Sequence, residues 1–345
     1  MKHTYDCIEK YIAQKHLNNI AVRVGMRDKV IADVFKSTEQ NIDTKTLFDM
    51  ASVTKIIVTT MLCLIALDKG FIKLSDEVSS FFEVPKDKKK LTIEHLLTHT
   101  MGIGHKSLNV VGNDYNNIAK YILSIPSDVP IGSDVLYSCP GYILLGKILE
   151  KIFGKRMDEL FLELIANPLK MGYSSFCPDK KNQFVNSNLP EDESGIVNDY
   201  NCRFLGGVAG NAGLFSNIDD VDKYVKMLLN FGSPLVEKET FLNAIKNHTP
   251  KMSESRGLGF VYVNEKYKQT GMLFQDGSIG HCGHTGQSVF VNLENGLYVI
   301  ILSDATVSTV KKFGVEKYDV VMQMREDIHN AIYDDLICLG FKVKE

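Results

Sequence analysis

The spacing of apolar residues along this chain changes from strand-like to helical and back again. Alternating apolar positions near the N-terminus predict two antiparallel strands, Ile20–Val24 and Val30–Phe35, joined around Arg27-Asp28. Three further segments have strand patterns: Gly257–Val263, Ser288–Asn292 and Leu297–Leu302. The Asn295-Gly296 pair between the last two is typical of a hairpin turn.

Helical spacing dominates the middle of the chain. It predicts four helices there: Ile93–Leu97, Asn117–Ile122, Tyr142–Phe153 and Val221–Leu229. Terminal helices are predicted over Asp6–His16 and Val320–Leu336. Strands and a helix at both ends predict one sheet that is completed by the N- and C-terminal segments. We therefore expect a single domain of the α/β (α+β) class, an antiparallel sheet flanked by helices with an inserted all-helical lobe.

This layout also predicts where a site would lie. The α/β lobe would comprise about residues 1–73 and 231–345, and the helical lobe about residues 74–230. Binding clefts commonly form where two such lobes meet.

Composition excludes several classes of partner. The 345 residues carry a formal net charge of −3, so no overall field favours nucleic acid or an anionic membrane. The one basic run, Lys86–Lys90, is interrupted by Asp87 and is interpreted as a solvated loop. No apolar stretch of about 18 residues is evident, so no membrane span is expected. A small-molecule substrate is the expected partner, and the oligomeric state stays open.

The cysteines and the N-terminus indicate the compartment. Seven cysteines are scattered without a C-x-x-C pair or other metal-ligand spacing, so we expect neither a metal nor another cofactor. The N-terminus leads into charged residues rather than an apolar segment, so no signal peptide is expected. Together these features favour a reduced, cytoplasmic protein.

The most informative short motif is Ser52-Val53-Thr54-Lys55. It follows a strand-like lead-in, Lys45–Met50, and precedes an apolar run, Ile56–Leu67, which closes on Gly70 as a buried helix would. Ser52 would then sit at the helix N-terminus with Lys55 one turn away on the same face. An amine there could take the serine proton if burial lowered its pKa.

The alternative is that Ser52 is only the N-cap of the helix and has no catalytic role. This alternative stays open because one S-x-x-K motif is expected by chance in a chain of this length. A second copy, Ser308–Lys311, precedes no buried helix and is interpreted as a solvated loop.

Four segments accompany Ser52 in a fixed order. Leu96–Gly102 reads LLTHTMG, and Tyr137–Gly146 places a tyrosine before a helix. Gly206–Ser216 is glycine-rich, and Gly280–Ser288 reads GHCGHTGQS before the hairpin. Together they resemble the serine β-lactamase/penicillin-binding-protein superfamily, and most closely its class C β-lactamase-like branch of esterases and D,D-peptidases. The resemblance implies a β-lactamase-like fold.

The resemblance also implies roles for individual residues. Ser52 resembles the acylated nucleophile, Lys55 its partner base, and Tyr137 the tyrosine of the Y-x-N motif that moves protons. The stretch His281-Cys282-Gly283 resembles the K-T-G strand motif. In this family the oxyanion is held by two backbone N–H groups, which here would belong to Ser52 and His284.

A second register would place His284-Thr285-Gly286 in the K-T-G role. The first is preferred because esterase-like members read G-H-x-G-x-T-G-x-S, and this chain matches every fixed position. No chemistry is assigned to the Gly206–Ser216 loop beyond a close backbone approach. His99, Thr100, Asp49 and Asp76 are interpreted as structural residues of turns and helix ends.

The chain departs from the family pattern at substrate-binding positions. Cys139 stands for Asn, Cys282 for Thr and His281 for Lys. A neutral imidazole and a thiol hold a substrate carboxylate poorly, which disfavours β-lactams and D-Ala-D-Ala peptides. Both cysteines are replacements without a role of their own, or they form a redox-sensitive pair across the cleft.

Two classes of function follow. The leading hypothesis is a serine hydrolase that forms an acyl-enzyme on a carboxylic ester or small amide. β-Lactamase or D-alanyl-D-alanine carboxypeptidase activity is the alternative within that class. The competing class is a catalytically impaired binding or sensor module on the same fold.

Overall fold

A six-stranded antiparallel sheet is the central element of the protein, seen in a computed structural model that describes residues 1–108, 117–185, 195–305 and 318–341. The strand order is β2-β1-β9-β8-β7-β6. The strands are β1 (Asn19–Met26), β2 (Lys29–Ser37), β6 (Val261–Tyr262), β7 (Ile279–Cys282), β8 (Ser288–Val291) and β9 (Leu297–Ser303). N- and C-terminal segments thus complete one sheet, as predicted, with β1 paired to β9.

Both predicted hairpins are present. Strands β1 and β2 pair from Asn19 with Ser37 to Met26 with Lys29. The Asn295-Gly296 turn joins β8 to β9, and Gly296 has the positive φ of 80° that such turns require. The predicted strand Gly257–Val263 is mostly irregular, and only Val261–Tyr262 pairs with β7.

A second, smaller sheet pairs one strand from before Ser52 with two strands of the otherwise helical part of the chain. Its three strands, in the order β3-β5-β4, are Phe48–Asp49, Ser175–Phe176 and Leu214–Ser216 for β3, β4 and β5. Pairs and triplets of residues are too short to show a strand period, so β4 and β5 escape sequence analysis. The β-lactamase-like mixed fold class is confirmed, with these two strands added to the inserted helices. The lobe boundaries stay a prediction.

Each predicted helix is present, most with shifted ends. The helices are α1 (Lys2–Ala13), α2 (Met61–Asp68), α3 (Ile93–Leu97), α4 (Ile118–Ser124), α5 (Cys139–Phe153), α6 (Met157–Phe161), α7 (Asn167–Leu169), α8 (Tyr200–Phe204), α9 (Ile218–Leu229), α10 (Lys238–Ala244) and α11 (Tyr318–Cys338). Of these, α6, α7, α8 and α10 are further helices that were not predicted. Helix α1 begins four residues before the predicted start, where Thr4 is buried and hydrogen-bonds Asp335 of α11.

The sheet separates two hydrophobic clusters. Alternate residues of β1 face opposite sides, so Ala21 joins the larger cluster while Ile20 and Val22 join the smaller one. The larger cluster packs the sheet against the inserted helices, and the smaller packs it against α1 and α11. Each face of the sheet is therefore covered.

The helical stretch that begins beside Ser52 runs through the larger cluster. It starts as a 3₁₀ turn over Ala51–Val53, continues as a π-helical segment over Lys55–Thr60, and ends as α2. Gly70 follows with φ of 68°, which confirms the predicted helix stop. Ala51–Asp68 is long and apolar enough to span a membrane, contrary to the sequence count, but 83% of it is buried inside the protein. It therefore packs as a core helix.

The prediction that the basic run Lys86–Lys90 is a solvated loop is also corrected. Lys88 is buried, and its Nζ donates to the carbonyl of Ile125 at 2.7 Å, whereas a fully solvated loop was predicted. The side chain is covered by the fold, and the Ile125 carbonyl and the Asp87 carboxylate satisfy its head group. The second S-x-x-K copy, Ser308–Lys311, lies outside the described residues.

Candidate active site

Ser52 lies at the start of its helical stretch, as predicted, on a strained backbone turn. Ala51 has φ of 44°, a left-handed conformation that is costly for a residue with a Cβ. Its N–H donates to Asp49 Oδ1 at 2.8 Å, which confirms the turn role of Asp49. The Ser52 side chain is half-buried, and Lys55 Nζ donates to its Oγ at 2.9 Å.

The Lys55 amine is buried and holds three partners. Besides Ser52, it donates to the carbonyl of Asn211 at 2.9 Å and contacts Cys139 Sγ at 3.5 Å. Burial lowers the pKa of Lys55, but Cys139 and Tyr137 outweigh it and raise the pKa to about 12. The expectation that the Lys55 amine has a lowered pKa is therefore wrong. Burial acts in the expected direction, but the neighbouring acidic groups Cys139 and Tyr137 reverse its effect.

Asn211 gives the glycine-rich loop a contact that sequence analysis did not assign. Its carbonyl reaches Lys55 because the preceding Gly210 packs directly against α5. A Cβ at Gly210 would lie 2.1 Å from the carbonyl oxygen of Tyr142, so only glycine fits. The expected close approach of backbone to the cleft is confirmed, and its target is the amine of Lys55.

Tyr137 stands two residues before α5 and faces Lys55. Lys55 Nζ lies 5.0 Å from the Tyr137 ring centroid, and both Lys55 and Ser52 act to lower the pKa of the Tyr137 hydroxyl. Burial raises the pKa of Tyr137 to about 12, although Lys55 lowers it. His99 fixes this segment, since its Nδ1 accepts from the N–H of Ser138 at 3.0 Å and its ring lies 4.7 Å from that of Tyr137. His99 is thus structural, as interpreted.

Cys139 is buried at the first position of α5, beside Lys55. Burial raises the pKa of its thiol, but Lys55 and a hydrogen bond from His105 outweigh this and lower the pKa. The same hydrogen bond raises the pKa of His105. A thiol between two basic groups at a helix N-terminus is biased toward the thiolate.

Strand β7 ends within the K-T-G-like stretch His281-Cys282-Gly283, called the third motif below, which lies beside the start of the Ser52 helix. A Cβ at Gly283 would lie 2.9 Å from the carbonyl oxygen of Met50 and 3.3 Å from Ala51 Cβ, so this turn contacts the backbone that precedes Ser52. His284, the predicted oxyanion donor, is the next residue and has an exposed side chain. Arg325 of α11 holds the turn from behind by donating to the carbonyls of Gly283 and Gly286.

Thr285 and Gln287 connect that turn to the strand before Ser52. Thr285 Oγ1 donates to the carbonyl of Asp49 at 2.9 Å, and Gln287 Nε2 donates to the same oxygen at 2.6 Å. Because the Thr285 hydroxyl is buried and used in this way, it is not presented to a substrate. The geometry therefore favours the His281-Cys282-Gly283 register.

His281 is buried and neutral. Its Nδ1 lies 2.7 Å from the carbonyl of Cys282, which assigns the proton to Nδ1 and leaves Nε2 as an acceptor. Burial, Arg256 and Lys55 hold its pKa well below the usual range. The ring lies 6.0 Å from that of Tyr137. His281 therefore brings no positive charge to the position of the family's lysine.

The two motif cysteines have different surroundings. Cys282 Sγ lies 3.3 Å from the hydroxyl of Tyr267 and packs beside the smaller hydrophobic cluster, whereas Cys139 contacts Lys55. Both are free thiols. Successive residues of a strand point to opposite faces, so with His281 toward Tyr137 the Cys282 side chain points away from Cys139. The expectation that both thiols face one cleft is therefore wrong.

Arg256 is a further buried cation of the cleft that sequence analysis missed. Its Cζ lies 5.9 Å from the Tyr137 ring centroid, and its Nε donates to Glu254 at 3.1 Å. No motif marks it, because it follows Ser255 in an irregular segment. Within the described parts of the chain, no cluster of three or more His, Cys, Asp or Glu side chains is arranged to hold a metal ion.

Comparison with known proteins decides the family. The sequence profile of the family described as Beta-lactamase matches residues 5–318, which is most of the chain. This protein belongs to the Beta-lactamase family. The serine β-lactamase/penicillin-binding-protein resemblance seen in the four motifs is thereby confirmed, and with it the family-level assignment as a serine hydrolase.

Individual relatives of this Beta-lactamase family member carry several activities in their names. It is 27% identical over 330 residues to the "Putative D-alanyl-D-alanine carboxypeptidase" of Escherichia coli (strain K12), covering 83% of this chain and 75% of that protein. It is 27% identical over 226 residues to the N-acetylmuramyl-L-alanine amidase of Bacillus subtilis (strain 168), covering 55% of this chain. The match spans about half of that relative's length (51%).

Solved structures show the same fold at low identity. The octameric penicillin-binding protein homologue from Pyrococcus abyssi superposes with a TM-score of 0.74 at 20% identity, covering 99% of this chain and 78% of that one. EstCE1, a hydrolase with promiscuous acyltransferase activity, gives a TM-score of 0.74 at 17% identity, with coverage of 95% and 98%. At these identities the similarity establishes the fold and leaves the substrate open.

Proposed function

We propose that this protein is a serine hydrolase that works through an acyl-enzyme on Ser52, with Lys55 and Tyr137 moving protons. The observation that carries the proposal is the 2.9 Å contact from Lys55 Nζ to Ser52 Oγ, with the Tyr137 ring 5.0 Å from the same amine. A nucleophile bonded to a base that is itself oriented by a third group is the arrangement that nucleophilic catalysis needs. The intact set argues against an impaired binding or sensor module.

Electrostatic coupling between Lys55 and Tyr137 supports a proton relay. Tyr137 raises the pKa of Lys55 and Lys55 lowers the pKa of Tyr137, so each group favours transfer of a proton toward the amine. When the pair has lost one proton, it can accept the Ser52 proton as Oγ attacks the substrate carbonyl carbon. Tyr137 then returns that proton to the leaving oxygen or nitrogen. In deacylation, water attacks the acyl carbon and passes a proton to Tyr137. The acyl carbon–Oγ bond then breaks, Tyr137 returns the proton to Ser52 Oγ, and the carboxylic acid leaves.

The tetrahedral intermediates need donors for their oxyanion. We assign these to the backbone N–H groups of Ser52 and His284. Contact between Gly283 and the backbone before Ser52 supports this assignment, because it brings residues 52 and 284 to the same side of the cleft. Arg325, Thr285 and Gln287 keep the turn rigid through the hydrogen bonds described above.

The proposed substrate is a carboxylic ester or small amide. Neutral His281 replaces the cation of the third motif, which disfavours substrates whose carboxylate would bind there. We place Cys139, His281, Cys282 and Gly283 along the substrate path, with Cys282 contributing through its backbone. D-Alanyl-D-alanine carboxypeptidase or β-lactamase activity is the second candidate, and the name of the Escherichia coli relative favours it.

Intact-protein mass spectrometry tests the proposal directly. The protein is exposed to a fluorophosphonate and, separately, to a β-lactam, and each adduct is mapped to a residue. We expect a single fluorophosphonate adduct on Ser52, with labelling and short-chain p-nitrophenyl ester hydrolysis both lost in Ser52→Ala and retained in Ser308→Ala. Labelling elsewhere with Ser52→Ala still active would overturn the proposal. A stable β-lactam adduct with faster β-lactam turnover would favour the second candidate.

A further inference from the structure

Arg256 is a buried cation with an unsatisfied donor. The side chain is 6% exposed, and its Nη1 is a buried atom with no hydrogen-bond partner. Nε and Nη2 both bond to Glu254, whose side chain is 49% exposed. Leaving a charged donor buried and unpaired costs free energy, so an unsatisfied group of this kind requires an explanation. The single partly solvated carboxylate compensates only one side of the guanidinium.

The Arg256 guanidinium lies among the groups that surround Tyr137. The guanidinium lies 5.9 Å from the Tyr137 ring centroid, and after burial it is the strongest influence lowering the pKa values of both His99 and His281. Both imidazoles are therefore neutral, and the charge that faces Arg256 is the Glu254 carboxylate. The groups that interact with Tyr137 from the elements packed around it are Ser52, Lys55, His99, Cys139, Tyr142, Arg256 and His281.

The charges in that set do not balance when Tyr137 ionises. Lys55 is the nearest cation, but its charge is shared with the Cys139 sulfur at 3.5 Å. His281 occupies the position of the family's lysine and is neutral. Among the described residues that interact with Tyr137, Arg256 is the second cation, and Glu254 outside the relay offsets part of its charge. A charge at about 6 Å from the ring shifts the ionisation equilibrium of the hydroxyl by about ten- to a hundredfold before such an offset.

We propose that Arg256 is a positioning residue that stabilises the ionised form of Tyr137 and so supplies the charge that His281 lacks. This rests on the acyl-enzyme function proposed above, in which Tyr137 gives and receives protons. A preorganised charge aimed at a group that becomes negative during the reaction requires no reorganisation at that moment. Arg256 does not touch the reacting atoms and acts through Tyr137.

The kinetic test compares two substitutions of one side chain. Arg256→Gln keeps polar hydrogen bonding and removes the charge, while Arg256→Lys keeps the charge. We expect Arg256→Gln to lower kcat/KM for phenyl acetate at pH 7 by about ten- to a hundredfold, through kcat, and to displace the rise of the rate with pH upward by about one pH unit. Arg256→Lys should retain activity within about fivefold of wild type. Equal losses in both variants would overturn the charge role.

A double-mutant cycle tests whether the effect passes through Tyr137. If it does, Arg256→Gln changes the residual rate little in the Tyr137→Phe background, because there is no hydroxyl left to ionise. The same fold loss in both backgrounds would overturn the proposal. Thermal unfolding of each variant identifies any loss that comes from misfolding.

A readout independent of catalysis separates this proposal from the proposed function. Tyrosine labelled with ¹³C at Cζ gives an NMR signal for Tyr137, assigned by its loss in Tyr137→Phe. In Arg256→Gln we expect the titration of that signal to move to higher pH, by about one pH unit. An unmoved titration overturns the role of Arg256 whatever the nucleophile is. A moved titration together with an active Ser52→Ala would overturn only the acyl-enzyme assignment.

Discussion

The Lys55 ammonium lies 3.5 Å from the Cys139 sulfur, where relatives of the resembled branch place an amide side chain. An amide is neutral at every pH, whereas a thiol ionises, so the proton affinity of the relay depends on this one substitution. The contact raises the pKa of Lys55 and lowers that of Cys139. Near neutral pH, the thiol therefore favours the protonated amine, which cannot act as a base.

Replacing this thiol should change the pH dependence. In Cys139→Asn the first of the groups that raise the pKa of Lys55 is removed, so the pKa falls and more unprotonated amine exists at a given pH. The rise of kcat/KM with pH should move to lower pH, and a fall of the Lys55 pKa by about one should increase kcat/KM at pH 7 about tenfold. Steady-state ester hydrolysis from about pH 6 to 9.5, the range around the ordinary thiol pKa, measures it.

The control for that experiment is Cys338→Ser, which removes an exposed thiol of the last helix. Its pH profile should match wild type. A Cys139→Asn profile that coincides with wild type would show that the thiol does not control the relay.

Removing either proton carrier should cost far more. Lys55→Ala and Tyr137→Phe are each expected to lower kcat by about 10²- to 10⁴-fold, the usual scale for an acid–base group. Tyr142→Phe is the matched control. Its ring also faces Lys55, at 5.6 Å, but its hydroxyl donates to the carbonyl of Leu97. We expect that variant to lose stability with less than a tenfold change in kcat. Losses below tenfold in both Lys55→Ala and Tyr137→Phe would mean that protons move by another route.

Substrate preference should follow the charge of the third motif. Because His281 is neutral, we expect kcat/KM for short-chain esters to exceed that for nitrocefin, which carries a carboxylate. His281→Lys should raise the nitrocefin-to-ester ratio by about tenfold or more, the scale of one charge-assisted hydrogen bond. Cys282→Thr alone should leave the ratio unchanged, because that side chain contacts Tyr267. If wild type prefers nitrocefin, the esterase preference is wrong.

The turn that carries His284 should depend on a buried hydroxyl. Thr285→Val leaves the Asp49 carbonyl with one hydrogen bond fewer and should lower the free energy of unfolding by about 1–3 kcal/mol, measured by urea titration. It should also lower kcat, because the oxyanion donor is less well held. Thr285→Ser retains the hydroxyl and should keep most of both. Equal effects of Val and Ser would show that the hydroxyl hydrogen bond is not what holds the turn.

Local pattern was sufficient for much of the fold. Alternation in Ile20–Val24, the Asn295-Gly296 turn and the stop at Gly70 depend on residues close together in the chain, and the structure has each of them. Strands β4 and β5 were not predicted, since two or three residues show no period and depend on pairing with a distant partner. Lys88 was misjudged because its burial is decided by the carbonyl of Ile125 on another segment.

The order of four motifs in the sequence by itself determined the family and selected Ser52, Lys55 and Tyr137 as candidates. Only the tertiary structure decided their electrostatics. Cys139 and Asn211 reach Lys55 from 84 and 156 residues away, and the field of Arg256 comes from a segment that no motif marks. A pKa is set by burial and by every charge nearby, whatever its place in the chain. Sequence order therefore selected the candidate reacting groups, while the fold determined which of them hold their protons.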